Sequence, residues 1–311
     1  KSLLRAEVLH ILSQEPERTV RMGAVDVAAV LCKLQAGQWP ELLQFVAAAT
    51  ADPHADAREL AILLLGESMT DTMGHYWKEH FASLATLFQN ALSGDSSTKV
   101  QKAAVQSLGC LLSFLADEPE AQIFEPLLPS TLHVVSQCVL LPHANNTNGA
   151  TPNASSAAVS TQDEETAGAL LEMLNELAAH GSPVLKTHLS GVVQFALGVL
   201  SCQALEMGIR DAAALVIATV AEGRPKLFAK DEALLANTLE ILFGLIENSK
   251  TSAAGALFDS NPAWREENDG SGDGDVDIDL DEDGNPIMDS PTETSMAQGT
   301  LDMLACVLPK K

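Results

Sequence analysis

The sequence predicts an all-α protein, folded as a right-handed α-solenoid of about six helix pairs that is interrupted by two disordered insertions. Three observations lead to this prediction. Only 4% of the 311 residues are aromatic while 46% are hydrophobic, so burial depends on Leu, Ala, Val and Ile. This composition favours packed helices over a β-sandwich or barrel. Apolar residues also recur at helical spacing, and the helices that they define return about every 40 residues.

The second helix of each predicted pair is the element that repeats most clearly. Its apolar residues are three, four or seven positions apart, as on one face of a helix. These helices begin near residues 20, 57, 100, 166, 209 and 297. The residues that define them are Val20, Ala24 and Val27; Ala57, Leu60, Ala61 and Leu64; Val100, Ala103, Ala104 and Leu108; Ala167, Leu170, Leu171 and Leu174; Ile209, Ala212, Ala213 and Val216; and Ala297, Leu301 and Leu304.

A first helix is predicted before each of these, with turns rich in Pro, Gly and Asp between the helices. The predicted first helices span 1–14, 40–49, 76–92, 124–141, 185–200 and 232–248. Second helices begin 37 or 43 residues apart where nothing intervenes, and 66 or 88 apart where extra sequence separates them. Helix pairs of this length are typical of HEAT repeats, whose neighbours stack to bury a shared core.

The excess spacing divides the chain into five segments. Residues 1–141 hold repeats 1–3 and the first helix of repeat 4, and residues 161–250 run from the second helix of repeat 4 to the first helix of repeat 6. Residues 142–160 form a polar insertion rich in Asn, Ser and Ala, and residues 251–295 form an acidic disordered loop. Residues 296–311 supply the second helix of repeat 6, and without a polar closing helix we expect a piece of a longer solenoid.

The charge narrows the classes of partner. The chain has 42 acidic and 18 basic residues, a net charge of −24, which excludes direct binding to nucleic acid and favours basic proteins. Uninterrupted apolar runs stay short of the roughly 20 residues that cross a bilayer, so no membrane insertion is expected. The five cysteines are odd in number and far apart, which predicts free, buried thiols in a reducing compartment.

Half of the net charge lies in one tract. Between residues 259 and 293 there are 13 acids and one base, Arg265. This tract is either a passive solvated loop or a mobile polyanion that attracts a basic partner, and composition leaves both open. Its candidate partner-binding residues are Asp275, Asp277, Asp279, Asp281, Glu282 and Asp283. Residues 279–284 resemble half of an EF-hand loop, but Ser290 stands where a bidentate Glu belongs, so no calcium site is expected.

The sequence contains no motif of catalytic or cofactor chemistry. It has no C-x-x-C, H-E-x-x-H, phosphate-binding glycine loop or nucleophile elbow, so we expect a protein that is not an enzyme and needs no cofactor or metal. Several acids are predicted to point outward from the second helices, either as an ordinary soluble surface or as a lining for a basic ligand. They are Asp26, Glu59, Glu67, Glu172, Glu176, Asp211 and Glu222.

Two stretches of the chain resemble the amino-terminal part of a karyopherin-β nuclear import receptor, of the importin-4 type. Residues 39–45 (WPELLQF), with Pro53, His54 and residues 58–65 (RELAILLL), are similar to the early repeats of that family. Residues 297–305 (AQGTLDMLA) and the final LPKK resemble the helix that follows the family's acidic loop. The repeat register agrees over essentially the whole chain, and the insertion 142–160 departs from the family's pattern.

The resemblance implies a monomeric receptor that shuttles between cytoplasm and nucleus. Such a receptor binds basic cargo such as core histones or ribosomal proteins, contacts phenylalanine-glycine nucleoporins in grooves between first helices, and releases cargo when Ran-GTP binds. The resemblance also implies that Ran contacts the second helices of the early repeats. The corresponding positions are Arg21, Asp26, Arg58, Glu59, Lys99 and Lys102. Two alternatives lack a Ran cycle: a HEAT-repeat scaffold, and an acidic histone chaperone.

Overall fold

The structure is a computed structural model that describes residues 2–34, 39–68, 78–140, 159–251 and 293–308. Every regular element within these ranges is helical, which confirms the predicted fold class. The α-helices in these ranges are α1 (Ser2–Gln14), α2 (Arg18–Lys33), α3 (Pro40–Ala49), α4 (Ala55–Ser68), α5 (Phe81–Gln89), α6 (Thr98–Phe114), α7 (Leu128–Val139), α8 (Thr161–Ala179), α9 (Leu189–Ser201), α10 (Met207–Gly223), α11 (Pro225–Lys230), α12 (Glu232–Thr251) and α13 (Glu293–Val307).

The helices form two layers. The second helices α2, α4, α6, α8, α10 and α13 pack against one another in chain order, and we call them the second-helix layer. The first helices α1, α3, α5, α7, α9 and α12 form the first-helix layer. One continuous apolar cluster runs from Val8 on α1 to Leu304 on α13. The core therefore extends along the array, as stacked helix pairs require.

The helix boundaries depart from the periodicity where capping or proline chemistry intervenes. Repeat 4 opens with the 3-10 helix Pro119–Leu127, and α7 begins only at Leu128, because Pro126 lacks the N–H that an α-helix needs. Helix α8 begins at Thr161 rather than near Thr166, since Ser160 caps it: the backbone N–H of Asp163 donates to Ser160 Oγ at 3.2 Å. The short helix α11 was not predicted.

Neighbouring second helices approach closely where residues are small. A Cβ added to Gly66 on α4 would lie 2.5 Å from the Oγ of Ser107 on α6. The same Ser107 Oγ donates a hydrogen bond to the Ile62 carbonyl of α4 at 2.8 Å, so a short side chain of α6 reaches the backbone of α4. A Cβ on Gly168 of α8 would lie 3.2 Å from Cδ1 of Ile209 on α10. Small residues thus hold this layer together.

One predicted apolar stripe is wrong in part. Of Val20, Ala24 and Val27, only Ala24 is buried, while the two valines are 48% and 45% exposed. Helix α2 packs mainly against α1 and α4, so the side that carries these valines has no helix over it within the described residues. The buried side of α2 carries Val25 and Ala28 instead.

Of the two predicted insertions, residues 142–158 and 252–292 fall outside the described residues, and so do the six candidate acids of the acidic tract. The prediction was wrong at the ends of the acidic loop, since Thr251 belongs to α12 and residues 293–295 belong to α13. All five cysteines are free thiols, as predicted, but only Cys32 is fully buried and Cys306 is exposed. In the part of the chain that the structure describes, no helix has both the length and the apolar character to span a membrane.

Candidate functional site

The solvent-exposed side of α8, α10 and α13 carries a row of carboxylates. Glu165 and Glu172 are exposed on α8, Asp211 and Glu222 on α10, and Asp302 on α13. Within α8 and within α10 the two acids are 7 and 11 residues apart, which keeps each pair on one side of its helix. Since the three helices are adjacent in the second-helix layer, their acids form one surface, which we call the acidic face.

The three helices of the acidic face carry no exposed base of their own. Helices α8, α10 and α13 contain a single basic residue, Arg210. This arginine is 3% exposed, and its Nε donates to the carbonyl of Leu200 at 2.9 Å. Leu215 is 54% exposed and lies between Asp211 and Glu222 on α10. A surface with an exposed leucine among carboxylates is complementary to a basic segment that also carries an apolar side chain.

The second helices of repeats 1–3 have mixed charge instead. Their bases are Arg18, Arg21, Lys33, Arg58, Lys99 and Lys102. Of the residues that the resemblance assigned to Ran, Asp26 and Lys99 are exposed. Lys99 Nζ lies 3.2 Å from Oδ1 of Asp56, and more than half of each side chain is exposed. Asp26 and Lys99 are therefore free to meet a partner on this face.

Arg21 and Arg58 occupy the same position of their repeats and make the same internal contact. Each donates from Nη1 to the backbone carbonyl six residues earlier, at 3.1 Å for Arg21 and 2.8 Å for Arg58. Gln101 does the same in repeat 3 from Nε2, at 2.9 Å. All three directly follow the first apolar residue of the second helix. This shared position is visible in the sequence and could have indicated the contact, but apolar periodicity does not consider polar residues. They hold the turn between the two helices of a pair.

Glu59 and Lys102 connect successive repeats. Glu59 was predicted to point outward, but it is only 5% exposed, because its Oε1 lies 2.7 Å from Nη2 of Arg18 on α2. Lys102 Nζ lies 2.6 Å from Oδ1 of Asp163 on α8, and these two side chains are 12% and 17% exposed. Five of the six assigned residues thus make contacts within the array, and of these only Lys99 is exposed.

The pair formed by Lys102 and Asp163 lies beside the insertion of repeat 4. Burial alone would raise the pKa of Asp163, but hydrogen bonds from Lys102, Ser160 and the thiol of Cys138 lower it below its ordinary value of 3.8. Cys138 lies in the last turn of the first helix of the repeat, and Ser160 directly precedes the second. The cluster therefore joins the two ends of the insertion to repeat 3.

This cluster predicts acid sensitivity. A carboxyl whose pKa is lowered by folding stabilises the fold above its ordinary value of 3.8, and that contribution disappears as the pH falls through the lower folded value. We expect Asp163→Asn to lower the free energy of unfolding by about 2 kcal/mol at pH 7, because Lys102 stays buried without its counter-charge. The difference from the unmodified protein should shrink below about pH 4.

Urea unfolding at pH 7, 5, 4 and 3 measures this difference. Asp26→Asn, at an exposed carboxylate of α2, is the matched control and should change stability by less than about 0.5 kcal/mol at every pH. If the loss of unfolding free energy in Asp163→Asn stayed constant down to pH 3, the charge of Asp163 would not be the cause of that loss.

Two grooves lie on opposite layers. The outer groove, of about 560 Å³, lies between Thr50, directly after α3, and α5. Leu87 of α5 and Ala91 of the following π-helix (Asn90–Gly94) form one side, and the buried side chains of Ile62 and Val100 lie at its floor. The inner groove, of about 570 Å³, crosses α2, α4, α6 and α8. Both are open enough to accept a side chain or a short segment of another protein.

The inner groove combines apolar and acidic side chains. Met22, Leu63 and Cys110 line it together with Glu67 and Glu165. Burial, followed by the nearby Glu67 carboxylate, raises the pKa of the Cys110 thiol. This thiol therefore favours its neutral form and acts as a small apolar side chain. Within the described ranges, no group of three or more His, Cys, Asp or Glu residues is arranged to hold a metal ion.

Stacked helix pairs with a continuous shared core define a helical-repeat protein. A family model described as "IPO5-like, TPR repeats" matches residues 16–195. The match covers more than half of the chain, and the chain belongs to this family. No curated protein sequence matches it significantly.

Solved structures confirm the fold. The structure of Kap121p bound to Nup53p is similar with a TM-score of 0.65 and 18% identity, covering 99% of this chain and 25% of that chain. The structure of Kap121p bound to Pho4p has a TM-score of 0.64 and 19% identity, and the match covers 99% of this chain and 26% of that chain. The structure of Kap121p bound to RanGTP has a TM-score of 0.63 and 18% identity, and the match covers 99% of this chain and 25% of that chain. The chain thus spans about a quarter of the karyopherin to which it is similar.

Proposed function

We propose that the chain is part of a nuclear transport receptor of the karyopherin-β class, of the importin-4 type, which carries basic proteins from the cytoplasm into the nucleus. The acidic face carries this proposal: five exposed carboxylates on α8, α10 and α13, with no exposed base on these helices. Membership of the IPO5-like family supports it. The chemistry of this face fits lysine-rich and arginine-rich cargo such as core histones or ribosomal proteins.

Ran-GTP would bind the mixed-charge second helices of repeats 1–3. Asp26 and Lys99 would meet it directly, since both are exposed. Arg21, Arg58, Glu59 and Lys102 would act indirectly, by holding the helices in place. Ran and cargo would then share one layer of the array, so the binding of one can weaken the binding of the other. Kap121p, which has the same fold over this region, has been crystallised with RanGTP bound and with Pho4p bound.

The other proposed contacts lie elsewhere on the chain. Phenylalanine-glycine nucleoporins would use the outer groove, whose apolar floor suits an aromatic side chain. Kap121p has also been crystallised with Nup53p bound. The acidic tract, with Asp275, Asp277, Asp279, Asp281, Glu282 and Asp283, would attract basic cargo over a longer distance. The receptor would act as a monomer without an enzymatic activity or a cofactor.

Binding to Ran in its two nucleotide states tests the proposal. We expect immobilised protein to retain Ran-GTP at least about tenfold better than Ran-GDP, and Ran-GTP to elute previously bound core histones. The double variant Glu172→Lys and Asp211→Lys should lose histone binding by about tenfold while it keeps Ran-GTP, because only the acidic face changes charge. Lys99→Glu should weaken the binding of Ran-GTP and leave the binding of histones unchanged.

The alternatives give different results in the same assay. A scaffold would bind Ran equally poorly in both nucleotide states. A histone chaperone would bind histones and keep them when Ran-GTP is added. Deletion of residues 269–283 measures the contribution of the acidic tract, and an unchanged rate of histone association at low salt would show that the tract is passive.

A further inference from the structure

The junction between repeats 2 and 3 has a close contact between helices in the second-helix layer and a groove in the first-helix layer. In the second-helix layer, α4 and α6 meet at Gly66 and Ser107, where an added Cβ would come within 2.7 Å of the Ser107 backbone. In the first-helix layer, the outer groove of about 560 Å³ lies between Thr50, directly after α3, and α5. At the next junction the first-helix layer is filled, since the rings of Phe81 and Phe124 pack edge to face with centroids 5.6 Å apart.

An ion pair spans the open side of this junction. Arg58 Nε lies 2.7 Å from Asp95 Oδ2, and Arg58 Nη2 lies 3.0 Å from Asp95 Oδ1. Two parallel hydrogen bonds fix the relative orientation of the two side chains, which a single contact would not do. The side chains are only 19% and 11% exposed, so water competes weakly for them.

Both partners of this pair are anchored in their own repeats. Arg58 Nη1 donates to the carbonyls of Asp52 and Pro53, in the turn of repeat 2, at 2.8 and 2.9 Å. Asp95 Oδ1 accepts from the backbone N–H of Ser97, in the turn of repeat 3, at 2.8 Å. The hydrogen bond from Arg58 lowers the pKa of Asp95, which keeps the carboxylate charged at neutral pH. The pair therefore links one turn to the next.

We infer that the pair formed by Arg58 and Asp95 is a latch that sets the angle between repeats 2 and 3. The backbone contact of Gly66 with Ser107 would be the pivot. Rotation about a close contact on one side changes the width of the opposite side with little loss of packing, and the outer groove supplies the space. The latch holds the groove at its present width, and its release lets the first three repeats change curvature.

A second ion pair at the same junction provides a control. Asp56 on α4 and Lys99 on α6 are 3.2 Å apart, but their side chains are 56% and 57% exposed. Exposed pairs of this kind restrain little. Arg58→Met and Lys99→Met each remove one positive charge from this junction, and they differ in the burial of the ion pair that is lost.

Single-molecule fluorescence energy transfer within the full chain tests the latch. Probes on non-natural amino acids at Glu7 of α1 and Gln122 of the 3-10 helix report on the junction, since both positions are exposed. A rotation of about 10° at the pivot moves such probes by about 4 Å. We expect Arg58→Met to shift or broaden the distance distribution by at least that amount. Lys99→Met should leave it unchanged.

Circular dichroism checks that each variant keeps its helix content. If Arg58→Met unfolds, the distance distribution of Asp95→Asn tests the latch instead. The amide oxygen of asparagine still accepts a hydrogen bond from Ser97, but the side chain no longer carries the negative charge that pairs with Arg58. Folded variants of the latch with an unshifted distribution would overturn the inference. An equal shift in Lys99→Met would also overturn it. The measurement needs no Ran or cargo, so its outcome is independent of the proposed transport function.

Discussion

Replacement of Phe124 by alanine is expected to lower the free energy of unfolding by about 4 kcal/mol, because it removes a fully buried aromatic ring and leaves a cavity. The ring packs edge to face on Phe81 at an interplanar angle of 69° and joins the first-helix layers of repeats 3 and 4. Stacked repeats share their cores, so the loss affects both neighbours. Urea unfolding followed by circular dichroism measures it.

The adjacent residue supplies the control for this prediction. Ile123 is 43% exposed in the same 3-10 helix, and Ile123→Ala should cost less than about 0.5 kcal/mol. The two variants differ in the burial of the removed side chain. Equal losses for both would mean that local helix stability, rather than packing between repeats, sets the result.

Replacement of Gly66 by alanine is expected to destabilise the protein by about 3 kcal/mol, although alanine is the better helix former. The added methyl would lie 2.5 Å from Ser107 Oγ and 2.7 Å from Ser107 Cα, so α4 and α6 must move apart. Ser107→Gly added to this variant should restore part of the loss, because it removes the two side-chain atoms but not the backbone atom. Thermal and urea unfolding measure both variants.

The same substitution at Gly23 should have the opposite sign. A Cβ at Gly23 of α2 would meet nothing within 4 Å, so Gly23→Ala should stabilise the protein by about 0.5–1 kcal/mol. The pair of variants separates helix propensity from the contact between helices. If Gly66→Ala were also stabilising, the close approach of α4 and α6 would not exist in solution.

The charge of the second-helix layer changes along the array. In repeats 1–3, bases such as Arg18 and Lys102 pair with acids of the next repeat, so much of their charge is used within the fold. In repeats 4–6 the exposed acids have no such partners on their own helices, and Thr219 of α10 meets Asn175 of α8 by a neutral hydrogen bond of 2.7 Å. A basic partner would therefore gain most on the acidic face.

Much of the fold followed from local patterns. The apolar spacing of residues such as Leu170, Leu174 and Val216 predicted each second helix, and the return of that pattern predicted the stacking of pairs. The same periodicity placed Glu172, Asp211 and Glu222 correctly on the exposed side of their helices. It misplaced Glu59, because a position that points away from its own core can still point at a neighbouring helix.

The sequence by itself determined the helices, their pairing and the excess of acid, because apolar periodicity and turn residues act within one or two helices. Only the tertiary structure decided which polar groups meet across repeats. Arg58 and Asp95 are 37 residues apart, and the contact between Gly66 and Ser107 brings together helices of two different repeats. Such contacts depend on how each helix is rotated and tilted against the next, and that geometry is set by packing along the whole array.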